Sequence, residues 1–380
     1  MNVDREDAEA LDAADPLAQW RDEFVIHDPE LIYLDGNSLG MTPRRTVDAV
    51  RTVMEEQWAG DLISSWWDNG WLDLPLTVGD ELAPVIGARA GEVAVHDSTT
   101  VCLFQMVNVA LDLAPGRRVI AVDPLEFPTD RYVAEGVARL RESELVDDIT
   151  DVDNADVVVR SLVDYRTAEL QDLRGETERA NAAGATIVWD LSHAAGVVEV
   201  DLTAAGVELA AGCTYKFLNG GPGAPAFTYL RREIQDDVVQ PIWGWFGQTD
   251  QFAMDRPFDA REGVGRILNG TPGVLGLTAA RAGIRLTAEA GISAIAQKAR
   301  ALTAFGLRVA EELELDAAGG GGGHIAVRHP DAVALHGALA DRKVIVDRRD
   351  PDILRFGMSP LTTRFTDVHH AITTLAALIS

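Results

Sequence analysis

The sequence ATIVWDLSHAAGVVEVDLTAAGVELAAGCTYKFLNGGPG, residues 185–223, indicates both the fold and the chemistry of this chain. It opens with an apolar, β-branched run, residues 186–189, which ends on Asp190 and is followed by His193. Such a run predicts a buried strand of a parallel sheet. The two polar side chains are therefore predicted at the carboxyl end of this strand, where α/β proteins place their ligands.

The same stretch ends on Lys216 and the glycine-rich segment 220–223. Only two other lysines occur in the chain, Lys298 and Lys343, so solubility does not explain a lysine at this place. An amine in a partly desolvated pocket can stay neutral and form a Schiff base with a carbonyl compound. An acid such as Asp190 can pair with a pyridinium nitrogen. The alternative is structural, with Asp190 as a turn cap and Lys216 as a half-buried residue.

Several motifs resemble those of kynureninases, which are fold-type-I enzymes that use pyridoxal phosphate. They are Asp190-x-x-His193, CTYK at 213–216, LNGGPG at 218–223, YLDGNSLG at 33–40, RILNGTPG at 266–273 and RFGMSPL at 355–361. The resemblance covers the chain from about Tyr33 to the C-terminus. It implies the fold-type-I transferase fold of the α/β class, with a large, mostly parallel α/β domain and a small C-terminal α+β domain.

Strand-like and helix-like segments alternate along the chain, which is typical of a mostly parallel sheet covered on both faces. The predicted strands include 92–96, 118–122, 157–163, 186–189 and 226–230, and the predicted helices include 7–24, 46–59 and 274–315, the last as one helix or two. We predict an N-terminal arm (1–40) near the active site, a large cofactor-binding domain (41–273) and a connecting helix with the small domain (274–380). The glycine run 319–323 lacks the features of a phosphate loop, so we interpret it as a flexible linker and expect a loose join.

The resemblance also implies the cofactor, pyridoxal 5′-phosphate, and the residues that bind it. Lys216 is the implied cofactor lysine and proton carrier, Asp190 holds the pyridinium nitrogen, and His193 orients Asp190 or stacks nearby. Tyr215 is implied in protonation and phosphate binding. The remaining implied contacts are Thr99, Thr100, Trp245 and Thr271 near the phosphate, Thr271 from a partner subunit, and Phe127, Asp130 and Ser161 elsewhere on the cofactor. Without the resemblance, a plain helix cap, packing or a turn explains several of these residues.

Arg355 lies in an otherwise apolar predicted strand. A guanidinium gives bidentate recognition of a carboxylate, and a buried one either pairs with an internal acid or awaits an anionic ligand. By resemblance Arg355 holds the α-carboxylate of the substrate, and Arg364 is the alternative. Trp66, Trp67 and Trp71 are candidates for the wall of an aromatic pocket, Trp66 first among them, or for core or dimer-interface packing.

The implied reaction is the hydrolytic cleavage of L-kynurenine or 3-hydroxy-L-kynurenine to anthranilate or 3-hydroxyanthranilate and L-alanine, in tryptophan catabolism and NAD biosynthesis. A homodimer with its active site at the subunit interface is implied as well. The alternative on the same fold is a cysteine desulfurase or another class-V aminotransferase-like enzyme. That reaction needs a mobile cysteine, and neither Cys102 nor Cys213 lies in a glycine- or serine-rich loop. A third hypothesis is a non-enzymatic scaffold.

Composition indicates a strongly acidic protein. The formal net charge is −27, from 60 acidic and 33 basic residues, and such a surface repels nucleic acid and anionic membranes. We interpret it as adaptation to high salt, and the alternative is an arginine-biased genome. Melting temperatures in dilute and molar KCl distinguish these two readings.

The N-terminus lacks a secretory signal, and no apolar run approaches the roughly 20 residues of a membrane span. The two cysteines give neither a disulfide framework nor a metal-ligand spacing. We therefore expect a cytoplasmic protein without a metal.

Overall fold

The structure is a computed structural model that describes residues 4–113, 116, 118–150, 152–253 and 257–380. The helices are α1 (Arg5–Ala13), α2 (Arg44–Thr52), α3 (Ser65–Asp68), α4 (Leu74–Leu82), α5 (Thr99–Leu113), α6 (Pro128–Arg141), α7 (Leu173–Ala183), α8 (Val274–Ala290), α9 (Ile292–Glu312), α10 (Ala332–Ala340) and α11 (Phe365–Ile379). The strands are β1 (Ile32–Leu34), β2 (Val93–His96), β3 (Val119–Val122), β4 (Glu144–Val146), β5 (Val157–Ser161), β6 (Thr186–Asp190), β7 (Leu209–Gly212), β8 (Ala226–Leu230), β9 (Ala317–Ala318), β10 (His324–Arg328), β11 (Val344–Arg349) and β12 (Ile353–Gly357). Residues 1–3 of the predicted N-terminal arm lie outside the described residues.

Among the described residues, seven strands form the large sheet, in the order β2-β8-β7-β6-β5-β3-β4. Strands β4, β3, β5, β6 and β7 are parallel, and β8 is antiparallel to both of its neighbours, β7 and β2. The register sets Ser161 beside Asp190 and Asp190 beside Ala211. The prediction of a mostly parallel sheet is confirmed, and its strand ends lie along one edge.

Both faces of the large sheet are covered by apolar side chains. Val158 and Trp189 belong to one hydrophobic core, whereas Val157, Val159 and Val188 belong to another. Successive side chains of a strand point to opposite faces, so a strand between two cores is apolar at nearly every position. This is why the central strands appear in the sequence as continuous apolar runs.

The small sheet has the order β1-β11-β12-β10-β9 and unites the two ends of the chain. Strand β1 pairs in parallel with β11, with Ile32 opposite Val344. Apolar residues of β10 and β12 pack with α9 and α11 in a third core. The N-terminal arm thus contributes an edge strand to a sheet that is otherwise built from C-terminal residues. The division at residues 40 and 273 stays a prediction.

Three predicted helices differ in detail from the structure. The predicted helix 7–24 ends early, at Ala13, because Pro16 has no amide hydrogen and breaks the pattern. Helix α2 continues as a π-helix over Val53–Asp61. The predicted segment 274–315 is two helices, α8 and α9, separated at Gly291, which has a positive φ of 85°. No helix in the described part of the chain has both the length and the apolar character to cross a membrane.

The glycine run 319–323 connects the two sheets through main-chain contacts. The carbonyl oxygen of Gly320 accepts a hydrogen bond from the amide of Leu170 at 2.9 Å, and Gly321 forms a β-bridge with Glu169. A Cβ atom at Gly320 would lie 2.5 Å from the Cα atom of Glu169. The interpretation as a flexible linker with a loose join is therefore wrong. Glycine is required here because two backbones approach too closely for a side chain.

We expect Gly320→Ala to lower the free energy of unfolding by about 1 to 3 kcal/mol, because the added methyl group forces two backbone segments apart. The matched control is Gly337→Ala in α10, where a Cβ atom would meet nothing within 4 Å. The control should be neutral or stabilising, since alanine favours a helix over glycine. Denaturant unfolding of both variants is the measurement, and equal stabilities would contradict the close-approach argument.

Candidate active site

A cavity of about 520 Å³ lies at the carboxyl ends of the large-sheet strands. The residues that line it come from the segments after β2, β3, β6 and β7, which are far apart in the sequence. Parallel strands end at one edge of their sheet, and this places the segments together. Among the predicted site residues, those lining the cavity are Thr99, Thr100, Phe127, Asp130, Asp190, Tyr215 and Lys216.

Lys216 is buried, and its amine contacts His193. The Lys216 Nζ atom lies 3.2 Å from Nε2 and 3.4 Å from Nδ1 of that imidazole. Burial and then the positive charge of Lys216 lower the pKa of His193 well below its usual value, so the ring is neutral. The same Nζ atom is 5.6 Å from the centroid of the Phe127 ring and 6.0 Å from that of Tyr215. The amine is thus enclosed by a neutral hydrogen-bonding ring and two aromatic rings.

Two buried carboxyl groups, Asp190 and Asp130, form the acidic wall of the cavity. Burial raises the pKa of Asp190, and hydrogen bonds from Ser192 and the charge of Lys216 oppose that shift. Burial and the neighbouring Asp190 raise the pKa of Asp130 well above its usual value. The Oδ2 atom of Asp130 is buried without a hydrogen-bond partner. This wall is suited to a ligand that brings a cationic or proton-donating nitrogen.

The N-terminus of α5, in contrast, is suited to an anionic group. Thr99 and Thr100 begin this helix of 15 residues and line the cavity. The hydroxyl oxygen of Thr99 is buried without a hydrogen-bond partner. A helix N-terminus with free amide groups and hydroxyl donors binds anions such as phosphate. The cavity therefore combines an acidic wall with an anion-binding end.

Four further predicted cofactor contacts lie outside the cavity lining. The hydroxyl of Ser161 donates to Glu126 at 2.7 Å. Thr271 lines an adjoining cavity of about 280 Å³, which shares Asp97 and Pro225 with the first. The remaining two, His193 and Trp245, are placed differently: His193 contacts Lys216, whereas the Trp245 side chain is 37% exposed and packs edge-on against a phenylalanine.

The three neighbouring tryptophans have different environments. Trp71 is buried, and its indole nitrogen donates to Gln57 at 3.0 Å. The Trp66 ring meets the Trp71 ring edge-on, with centroids 5.5 Å apart, whereas Trp67 is 57% exposed. These described side chains do not line the cavity around Lys216 within this chain.

Arg355 is completely buried and pairs with an internal acid. Its Nε atom donates to Asp347 at 2.7 Å, a second nitrogen contacts the same carboxylate, and a third donates to the carbonyl oxygen of Tyr165. Of the two possibilities that the sequence left open, the structure shows the internal pairing. The alternative, Arg364, is bound to Asp367 in the first turn of α11 and lines neither cavity near Lys216.

Two groups that support the site were not singled out from the sequence. Ser192 donates its amide and its hydroxyl to Asp190 at 2.8 and 2.6 Å. The Asp-x-Ser spacing is that of an Asx turn, which is the signal that predicts this contact. Glu126 is partly buried and accepts two hydrogen bonds from Ser161, at 2.7 and 2.8 Å. No sequence signal marks Glu126, because its partner lies on a different strand.

Comparison with known proteins agrees with this architecture. Residues 32–316 match the aminotransferase class-V family, and residues 295–375 match the kynureninase C-terminal domain. The solved cysteine desulfurase of Thermococcus onnurineus NA1 superposes with a TM-score of 0.77 at 19% identity, over 98% of this chain and 96% of that one. The Escherichia coli cysteine desulfurase CsdA gives 0.79 at 16% identity, over 96% and 97%. Fold and site together define a protein of the class-V aminotransferase type, with the fold-type-I architecture.

Full-length relatives narrow this class. The kynureninase of Pseudomonas fluorescens is 40% identical over 99% of this chain and 95% of its own length. The kynureninase of Deinococcus radiodurans is 42% identical over 99% and 97%. At this identity and coverage the chain belongs to the kynureninase family.

The acidic wall predicts a pH-dependent effect of Asp130→Asn on the protein without cofactor. A carboxyl whose pKa is raised by folding stabilises the folded state fully below its ordinary pKa near 3.8, and that stability is lost as the pH rises. The variant should therefore melt above wild type at pH 7 to 8 and lose this advantage towards pH 4. Melting temperatures across this range are the measurement.

The control for this experiment is Asp68→Asn, which removes the same charge from an exposed position. It should give a smaller difference from wild type. A destabilised Asp130→Asn protein at pH 8 would contradict the electrostatic account.

Proposed function

We propose that this protein hydrolyses L-kynurenine or 3-hydroxy-L-kynurenine to anthranilate or 3-hydroxyanthranilate and L-alanine, using pyridoxal 5′-phosphate, in tryptophan catabolism. The observation that carries the proposal is the buried Lys216 amine facing Asp190 and Asp130 in one cavity. Full-length relatives named kynureninase support the choice of substrate. The relatives are needed for this choice because the same fold serves other reactions.

The residues of the cavity fit this cofactor. The buried Thr99 hydroxyl at the anion-binding end has no hydrogen-bond partner. At the acidic wall, Asp130 interacts with the carboxyl group of Asp190. Thr99 and Thr100 would hold the phosphate, Asp190 and Asp130 the pyridine nitrogen, and Phe127 the ring face. When bound, pyridoxal phosphate supplies an aldehyde that condenses with amines and a ring that accepts electrons.

Around that cofactor the protein's own groups hold and move protons. Lys216 is the proposed proton carrier, and the neutral His193 beside it can accept a hydrogen bond from the ammonium form. Burial raises the pKa of the Tyr215 hydroxyl, which therefore stays protonated and can donate. Ser161 supports the site through Glu126 in the described structure, while Trp245 and Thr271 are proposed near the phosphate, Thr271 across a subunit boundary.

Arg355 and Trp66 are the proposed substrate contacts. Arg355 lies on β12, and its positive charge helps to lower the pKa of the buried His193, which contacts Lys216. An α-carboxylate bound there would share the guanidinium with Asp347. Trp66 is proposed at the aromatic end, where the amphipathic ring suits an aromatic amine.

A cysteine desulfurase is the second candidate function. The burial and the raised pKa of both thiols argue against it. Cys102 and Cys213 are both buried. Burial raises the pKa of Cys102 to about 12 and also raises that of Cys213, so neither is a ready thiolate nucleophile. Two buried free thiols also support the proposed cytoplasmic location, where thiols stay reduced.

We propose a homodimer, supported by an exposed aromatic surface on a chain of net charge −27. Trp67 is 57% exposed and Phe252 is 47% exposed, and their ring centroids lie 5.8 Å apart. Trp245 joins this surface through Phe252, at 5.9 Å. Monomers rarely leave such aromatic groups to water, and a second copy would cover them.

Light scattering should therefore give twice the mass of the chain, and Trp67→Glu should shift the protein towards monomer by placing a charge in the interface. Val333→Glu, at a 61% exposed position on α10, is the control and should stay dimeric. A monomeric wild-type protein would remove the homodimer from the proposal.

The proposed function predicts that the protein with cofactor releases anthranilate and alanine from L-kynurenine in equal amounts, and that Lys216→Ala abolishes this turnover. Lys343→Ala, which removes an exposed lysine bound to Asp28 and Glu30, should keep it. Mass spectrometry of the borohydride-reduced protein should find the pyridoxyl group on Lys216. Sulfide release from L-cysteine with kynurenine untouched would favour the desulfurase instead.

Arg355→Ala should lower kcat/KM for kynurenine by roughly 30- to 1000-fold, since a charge-assisted contact with substrate is lost. Arg364→Ala is the matched control and should stay near wild type, because its partner is Asp367. Removing Arg355 also leaves Asp347 buried with less compensation, so melting temperatures accompany the kinetics. The opposite ranking of the two variants would move the carboxylate site to Arg364.

A further inference from the structure

One face of the small sheet carries polar groups towards the large sheet. In the strand register Arg355 is opposite both Ala326 and Asp347, and His324 is opposite Gly357. Directly opposed residues lie on the same face, and residues two apart on a strand share it, so His324, Arg355 and Asp347 project from one face. The intervening residues of β10 and β12 belong to the apolar core of the other face: Ile325, Val327, Leu354 and Phe356.

His324 is poorly hydrogen-bonded on this face. Its side chain is completely buried, neither ring nitrogen forms a well-aligned hydrogen bond, and the backbone of Tyr165 offers only a weak one. The ring centroid lies 6.1 Å from that of His193, whose imidazole contacts the Lys216 amine. A buried polar group without a partner is costly, and such groups in a folded protein call for a ligand or another explanation. The proposed cofactor contacts do not involve this imidazole, and the Tyr165 carbonyl oxygen beside it already accepts a hydrogen bond from Arg355.

The protonation state of His324 makes it a single donor. Burial lowers the pKa of His324 well below its usual value, the charges of Arg355 and Lys216 act in the same direction, and a weaker hydrogen bond with the Tyr165 backbone opposes them. A neutral imidazole has one N–H donor and one acceptor nitrogen. It can therefore donate one hydrogen bond to an anion without adding a charge to a region that already holds two cations.

Arg355 alone has too few free donors to clamp a carboxylate. Its Nε atom donates to Asp347, a terminal nitrogen contacts Asp347 and lies 3.4 Å from the Ser38 hydroxyl, and the other terminal nitrogen donates to Tyr165. A guanidinium has five N–H groups, so one is left. Bidentate recognition of a carboxylate needs two donors. A second donor from a neighbouring group would complete such a clamp.

We propose that His324 is a substrate-binding residue that donates its ring N–H to the α-carboxylate of an amino-acid substrate, alongside the remaining N–H of Arg355. This inference rests on the proposed function and deepens it. It makes the site selective for α-amino acids over the corresponding amides and amines. The His324 ring is completely buried and adjoins His193, the imidazole that contacts the Lys216 amine.

The test uses the protein loaded with cofactor and the dissociation constants of L-alanine and L-alaninamide, measured by titration calorimetry. His324→Leu removes the donor at similar volume and should weaken L-alanine binding by about 10- to 100-fold while leaving L-alaninamide unchanged. His324→Gln keeps an N–H donor and should stay within a few-fold of wild type. Unchanged L-alanine binding in His324→Leu, or an equal loss for acid and amide, would overturn the proposal.

Two controls separate this inference from other failures. His336→Leu removes a histidine of α10 whose ring bonds the Val346 carbonyl, and it should leave L-alanine binding unchanged. The affinity of the cofactor-free His324→Leu protein for pyridoxal phosphate should match that of wild type, since His324 is assigned to the substrate. If wild type binds L-alanine but does not cleave kynurenine, the proposed function fails, and the alanine and alaninamide constants still decide the role of His324.

Discussion

The burial of one amine against two carboxyl groups is the constraint on which the rest of this structure depends. Lys216, Asp190 and Asp130 share a cavity and are nearly inaccessible to solvent. Burial raises the pKa of both acids, and the charge of Lys216 opposes it. Charges at such low exposure persist only where partners are fixed in place, because an unpaired buried charge is costly. The apolar strands beneath the cavity provide that rigidity.

The small sheet contacts a loop of the large sheet that packs against the cavity wall. The guanidinium of Arg355 reaches the carbonyl oxygen of Tyr165 in the large sheet's loop, and the Tyr165 ring packs edge-on against Phe127, with centroids 5.2 Å apart. Phe127 in turn lines the cavity. The position of an aromatic wall therefore depends on how the small sheet is seated. The glycine run 319–323 sets that seating, since its backbone bonds directly to the same loop.

The fold that this chain shares with solved desulfurases does not by itself identify its reaction. Solved desulfurases superpose well on this chain at 16 to 19% identity, which reports the fold. The reactive group of a desulfurase is a cysteine, and both cysteines of this chain are buried. The buried lysine and carboxyls are compatible with either chemistry, so the surroundings of the lysine and the full-length relatives separate the two.

The sequence by itself determined the class of fold and the strand that ends on Asp190, and it singled out Lys216, whose role as the reactive amine stays a proposal. The fold could be predicted because a sheet buried on both faces requires apolar runs. Lys216 could be singled out because the chain has only three lysines and this one precedes a glycine-rich turn. Only the tertiary structure decided that Arg355 is paired with Asp347, that the glycine run is a tight joint, and that Glu126 and His324 adjoin the site. These features depend on which side chains from distant strands meet across a buried interface. Neither local spacing nor composition shows which residues those are.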